Sequence, residues 1–311
     1  MSRVRRAARG GVALGALVIS FAIVACAPTV SGAVAPAAAQ KQVPIYPDVA
    51  VTENVAYGPE TTQLLDVCQP ADAEFSSLNN GPRRAILSVH AGSWREGDKA
   101  GPHWRSACEW LASEGFVAFS VNYRLAPLAP FPAGIADVRT VVEWLRQPAQ
   151  VTAYDFDPAL IGAFGGSAGG NLVALLGAEG TGPLDVGTRV AAVVELSGPI
   201  DLTADGLLLG EYTAEFQRHQ LEYLGCEDYA SCTTARSASP VYAVDPSDPP
   251  FFIGHSTDEF TPIGQADALV SALETAGVDS TFVEVTGKLH SLALLDDAMR
   301  AQVVKFLRES L

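Results

Sequence analysis

Apolar runs and polar breaks alternate along most of the chain with a regular rhythm. Strand-like stretches are VTENVAY (51–57), QLLDVCQ (63–69), AILSVH (85–90), FVAFSVNY (116–123), LIGAFG (160–165), VAAVVELS (190–197), PFFIGHS (250–256) and STFVEVT (280–286). The later ones are almost continuous Val, Ile, Ala and Phe, the pattern of strands covered on both faces. Between them lie helical patterns at 101–114, 134–147, 168–178, 262–276 and 291–310. In VRTVVEWLR (138–146), Val138, Val141, Val142 and Leu145 fall on one helical face. Strands and helices in succession predict an α/β fold: a mostly parallel, eight-stranded sheet with helices on both faces.

One stretch breaks the rhythm. Residues 201–249 are polar, contain Cys226 and Cys232, and end in the proline-rich SPVYAVDPSDPP. Inserted between two sheet strands, they are a candidate lid over the carboxyl edge of the sheet; the alternative is an ordinary surface excursion.

The N-terminus is of a different kind. Arg3, Arg5, Arg6 and Arg9 precede the apolar run VALGALVISFAIVA (12–25), too short for a comfortable membrane span and suited to a signal-peptide core. It ends in Ile23-Val24-Ala25-Cys26, which resembles a bacterial lipobox. The expectation is a signal peptide over 1–25 and a lipidated Cys26 that anchors the chain to the outer face of the membrane. A plain secretory signal or an uncleaved anchor are the other readings. Residues 27–45, rich in Ala, Pro and Val, read as a tether, which leaves 46–311 as one catalytic-sized domain.

Composition narrows the partners. The formal charge is −15, and removing the four signal arginines takes it to −19, so nucleic acid is excluded as a partner. Without Cys26, Cys68, Cys108, Cys226 and Cys232 form an even set in an oxidising setting, with three possible pairings. The short separation of Cys226 and Cys232 favours their bond, leaving Cys68 with Cys108. No Cys/His spacing suits zinc, and no metal or organic cofactor is expected.

The candidate chemistry centres on Gly165-Gly166-Ser167-Ala168-Gly169, between a strand and a helix. A serine nucleophile must stand clear of the sheet on a tight turn, which requires small residues on both sides. The following helix aims N–H groups at a developing oxyanion. Serine needs a base, and the base needs an orienting acid, in chain order Ser, acid, His. His290, in the loop after the last strand, is the candidate base; His255, at the end of a buried strand, reads as a packed histidine. Asp258, the first carboxylate after PFFIGHS, is the candidate acid, with Glu259 beside it the competitor read as a solvated or helix N-terminal charge.

The segments HAGSWREGDK, VNYRLAPLAPFPAGIADVRTVVEWLR, FGGSAGGNL, HSTDEFTP and GKLHS resemble, in order, the esterase/lipase branch of the α/β-hydrolase superfamily. The nearest likenesses are hormone-sensitive-lipase-like esterases and the small feruloyl-esterase and formamidase-like enzymes with an HGGxW motif. The resemblance implies an oxyanion hole built from backbone N–H groups of Gly92, Ser93 and Ala168, with His90 and Trp94 shaping the loop and lining a substrate pocket. Ala91 stands where the family has its first glycine, and Leu128 where Glu usually follows YRLAP. Arg124 and Asp137 are expected to be architectural. The implied activity is hydrolysis of carboxylic esters of short-to-medium acyl chains through an acyl-enzyme. Amide or formamide hydrolysis on the same triad, or an inactive envelope binding protein, are the competing readings.

Overall fold

The computed structural model describes residues 44–71 and 83–311; the signal segment, Cys26 and the start of the tether lie outside them. Eight strands form one sheet: β1 (Val49–Ala56), β2 (Leu64–Pro70), β3 (Ala85–Val89), β4 (Val117–Val121), β5 (Ile161–Gly166), β6 (Ala192–Leu196), β7 (Phe251–Ser256) and β8 (Ser280–Val285). Their order is β1-β2-β4-β3-β5-β6-β7-β8. The β1/β2 and β2/β4 pairs are antiparallel and the rest parallel. This is the mostly parallel, eight-stranded sheet that the alternation of apolar runs predicts, in the fold that the resemblance to α/β-hydrolases implies.

Burial explains the sequence pattern. Strands β3 to β7 are buried at every position, whereas β1 at the edge is mostly half-buried or exposed. With side chains alternating along each strand, Leu87, Phe119, Val193 and Ile253 enter one apolar cluster and Ile86, Ala118, Phe164 and Leu196 the other. On the first face pack α2 (Ala133–Leu145), α4 (Ala168–Ala178) and α6 (Gly264–Ala276); on the second, α1 (Pro102–Ser113) and α7 (Asp297–Ser310). The short α3 (Pro148–Tyr154) leads into β5, and α5 (Ala214–Leu224) lies within the 201–249 excursion. The predicted helix at 291–310 is divided: a single turn, Ser291–Leu294, is followed by α7, whose N-cap Asp296 accepts from the Met299 N–H at 2.8 Å.

Arg124 and Asp137 are architectural. The buried Asp137 carboxylate takes the Arg124 guanidinium at 2.7 Å, the Arg124 N–H at 2.8 Å and the Gln63 amide at 2.7 Å, joining the start of β2 to α2. Leu128, in place of the usual Glu, is 97% exposed.

Both disulfides are those expected, Cys68–Cys108 between β2 and α1, and Cys226–Cys232 after α5. The first spans 40 residues. Replacing both of its cysteines by alanine is expected to cost about 4 kcal/mol from loop closure, against about 2 kcal/mol for the short loop. Urea midpoints of the two double variants test this; equal shifts would contradict the loop-length argument.

Candidate active site

Ser167 ends β5 and begins α4 with φ 54° and ψ −121°, a conformation that side chains rarely adopt. Two hydrogen bonds and the close packing of two glycines impose it. The Ser167 N–H donates to Leu196 O at 2.8 Å, holding the turn to β6, and its carbonyl accepts from the Asn171 N–H at 3.0 Å. A methyl on Gly165 would strike the Gly169 carbonyl, and one on Gly169 would strike the Val89 carbonyl. The glycines of the motif are therefore required by the close passage of strand, helix and β3. At 4% exposure, Ser167 lies at the floor of the carboxyl edge rather than on a free surface.

His290 stands in the loop after β8, its ring edge-on to Phe260 at 5.6 Å between centroids. Its Nδ1 meets Glu259 Oε2. The next residue, Ser291, is packed so closely on Gly166 that a methyl there would collide with its Oγ. The base loop is thus pressed against the residue preceding Ser167.

The acid facing His290 is Glu259, which corrects the expectation of Asp258. Thr257 N–H donates to Val285 O at 2.9 Å and Asp258 N–H to Gly287 O at 2.8 Å, so the turn after β7 is tied to the end of β8. That pairing directs the Asp258 side chain outward, where it is exposed and accepts only from its neighbour Thr257 Oγ1 at 2.8 Å. Glu259, one methylene longer, reaches back under the turn. Its side chain is fully buried, and Oε1 accepts from the Ser256 N–H at 2.9 Å and the Ser197 hydroxyl at 2.8 Å.

His255 is the packed histidine anticipated. Fully buried, it donates from Nε2 to Thr261 O at 2.8 Å, and burial lowers its pKa against the opposing pull of Glu259. It therefore stays neutral beside Glu259, with Nε2 3.4 Å from Oε1.

The loop after β3 runs through Gly92 at φ 128°, Ser93 at 52° and Trp94 at 58°. Ala91 has no positive φ, so its replacement of a glycine is accommodated without strain there. Among the described residues, the N–H groups of Gly92, Ser93 and Ala168 have no hydrogen-bond partner within the protein, as an anion-binding pocket requires. His90 and Trp94 support this loop. The buried His90 ring stacks on Tyr123 at 4.4 Å, and its Nδ1 lies 2.8 Å from Ala91 O. Trp94, 1% exposed, stacks on Tyr223 of α5 at 4.3 Å, and Arg95 pairs with Glu222 of the same helix at 3.0 Å. Of the two roles the resemblance implies, loop shaping fits both rings; neither presents an exposed face to a pocket.

Glu259, Ser197, Ser291 and the α5 aromatics were not singled out by motif. Glu259 alone had a sequence signal, its place beside Asp258. No cluster of His, Cys, Asp and Glu able to hold a metal occurs among the described residues.

A strand–serine–helix elbow, a histidine after the last strand and an acid after the seventh lie together at one edge of an α/β-hydrolase fold. Residues 71–273 match the BD-FAE family model, and the chain belongs to that family. Esterase LipC of Mycobacterium tuberculosis is 31% identical over 254 residues, 79% of this chain and 60% of its own length. The probable carboxylic ester hydrolase LipM of the same organism is 28% identical over 280 residues, 85% of this chain and 62% of its own. The chain thus spans about three fifths of the length of these relatives. Among solved structures, a truncated carbohydrate esterase from gut microbiota superposes with a TM-score of 0.70 at 23% identity, covering 84% of this chain and 96% of that one. An esterase of the bacterial hormone-sensitive lipase family gives 0.66 at 24% identity, covering 86% of each.

Proposed function

We propose that the protein is an exported serine esterase that cleaves carboxylic esters of short-to-medium acyl chains through an acyl-enzyme on Ser167. The observation that carries this reading is the geometry of one edge: an exposed-loop histidine backed by a buried carboxylate, beside a strained serine elbow and unoccupied N–H donors. His290 takes the Ser167 proton as Oγ attacks the ester carbonyl. The carbonyl carbon gains the Ser167 oxygen, and the resulting oxyanion is held by the N–H groups of Gly92, Ser93 and Ala168. Glu259 holds the imidazole in the tautomer with hydrogen on Nδ1 and stabilises the cation. His290 then protonates the leaving alcohol as the C–O bond breaks. Water, activated by the same histidine, releases the acid.

The N-terminal segment supports a lipid anchor at Cys26, which would hold the enzyme on the outer face of the membrane. The excursion at 201–249, clasped to the oxyanion loop through Trp94 and Tyr223, supports a cover that limits pocket size.

The test is hydrolysis of p-nitrophenyl esters from acetate to palmitate by the whole chain. An optimum among the short-to-medium chains, with a burst of nitrophenol equal to the enzyme present, is the expected result. A folded protein that turns over none of these esters, yet cleaves p-nitroanilides, would replace the esterase reading by an amidase.

A further inference from the structure

We infer that Ser197 is a positioning residue of this site, its hydroxyl fastening the acid to the loop that carries the base, and that Glu195 acts through it by holding the turn on which it stands. The inference rests on Ser167, His290 and Glu259 forming the triad.

Ser197 sits at the carboxyl end of β6, fully buried, with φ 59°. A serine kept in a left-handed conformation that glycine would adopt without strain points to its side chain. Its N–H donates to Gly254 O on β7 at 3.0 Å. The hydroxyl then spans two separate segments: it donates to Glu259 Oε1 at 2.8 Å and accepts the Ser291 N–H at 2.9 Å. Glu259 and His290 come from loops 31 residues apart, and this oxygen is a common pin between them. Neither segment supplies a substitute: without the hydroxyl, the buried Ser291 N–H loses its partner and Glu259 Oε1 keeps only the Ser256 N–H.

The turn itself is held from below. Glu195, two residues earlier on β6 and fully buried, accepts the Gly198 N–H on Oε1, while Oε2 has no partner. A methyl on Gly198 would lie 2.8 Å from the Asn171 N atom, and one on Gly170 would lie 2.9 Å from Glu195 Oε1, so turn, carboxyl and nucleophile helix are in direct contact. Burial raises the Glu195 pKa to about 8; the Gly198 N–H opposes this and the charge of Glu259 adds to it. The other ionisable groups near this pair are His255, on β7, His290 and the buried Tyr212, each reaching it through Glu259, with Asp267 of α6 acting on His255. Strand β5, helix α4 before its C-cap and the turn Ser291–Leu294 carry no ionisable side chain. At neutral pH Glu195 is therefore an uncharged acid. Above about pH 8 a second buried negative charge forms beneath the turn.

The test compares the whole wild-type chain with Ser197→Gly, which accepts the backbone conformation while deleting the hydroxyl, and with Glu195→Gln. For Ser197→Gly on an ester the wild type cleaves, kcat is expected to fall about 10- to 100-fold with KM within a factor of about 3, as for loss of a positioned general base. The acid limb of kcat/KM should move to lower pH as Glu259 slackens its hold on the imidazolium, and the low-field proton resonance of His290 Nδ1–H should broaden or vanish. The wild type is expected to lose kcat above about pH 8, and Glu195→Gln should not. A Ser197→Gly enzyme with unchanged kcat, acid limb and resonance overturns the inference. So does an alkaline decline that persists in Glu195→Gln. An inactive wild type instead defeats the triad reading itself, so the two failures are told apart.

Discussion

Ser167→Ala is expected to lower kcat on a p-nitrophenyl ester by about 10⁴- to 10⁶-fold while leaving KM and thermal stability nearly unchanged. Without Oγ there is no acyl-enzyme, and what remains is the binding and oxyanion stabilisation supplied by backbone N–H groups. Those groups are fixed by contacts that do not involve the serine side chain: the Ser167 N–H on Leu196 O, and the packing of Gly165 and Gly169 against helix and strand. Alanine keeps the strained φ of 54°, so stability should not recover. Glycine does not carry that penalty. Ser167→Gly is therefore expected to be equally inactive yet more stable, by about 1 kcal/mol, since left-handed strain costs roughly 1–3 kcal/mol and glycine returns part of the gain as chain entropy. Thermal melts beside ester assays read both. A Ser167→Ala protein retaining a tenth of wild-type turnover would remove Ser167 from the chemistry, and a less stable Ser167→Gly would remove strain from the account of the elbow.

The elbow was legible because its demands are local. Collision of a methyl with the Gly169 or Val89 carbonyl forces glycine at fixed offsets, and the flanking strand and helix announce themselves by periodicity. Strands β3 to β7 were legible for a related reason: two-sided burial writes itself as runs rich in Val, Ile, Leu, Ala and Phe. Helix α5 was hidden, because it buries only Phe216, Gln220, Tyr223 and Leu224 and is otherwise polar, and its partner Trp94 lies more than a hundred residues away. The start of the last helix is blurred in the sequence because the apolar run SLALL continues its pattern, whereas Asp296 caps a new start. Which carboxylate faces His290 is hidden in the sequence for a non-local reason. Which of two adjacent carboxylates turns inward depends on Thr257 and Asp258 pairing with Val285 and Gly287, and nothing between residues 250 and 262 encodes that register. Ser197 escaped notice likewise, since its two partners are 62 and 94 residues distant.

Adjacent carboxylates with opposite surroundings make a sharp comparison. Glu259→Gln is expected to reduce kcat by about 10³- to 10⁴-fold, the range seen when a triad acid is replaced by its amide. Asp258→Asn should stay within a factor of about 3, because an exposed carboxylate bonded only to its neighbouring threonine has little differential energy to give. The loss at Glu259 has two parts. The amide cannot stabilise the imidazolium, and if it turns its N–H₂ toward Nδ1 it favours the tautomer that lacks a free Nε2 to accept the Ser167 proton. Glu259→Asp separates them: it keeps the charge but shortens the reach to His290, and an intermediate loss of about 10²-fold follows if position matters as much as charge. Because Glu259 also holds the Ser256 N–H and the Ser197 hydroxyl, each variant is assayed beside its melting curve, at a temperature where it is fully folded. If Asp258→Asn were the inactive protein and Glu259→Gln the active one, the turn after β7 would have to reverse its side chains in solution, breaking the pairing of Asp258 with Gly287. The burial of Glu259 would then be a matter of packing alone, and the hydrogen bonds converging on it would stabilise the fold without serving the reaction.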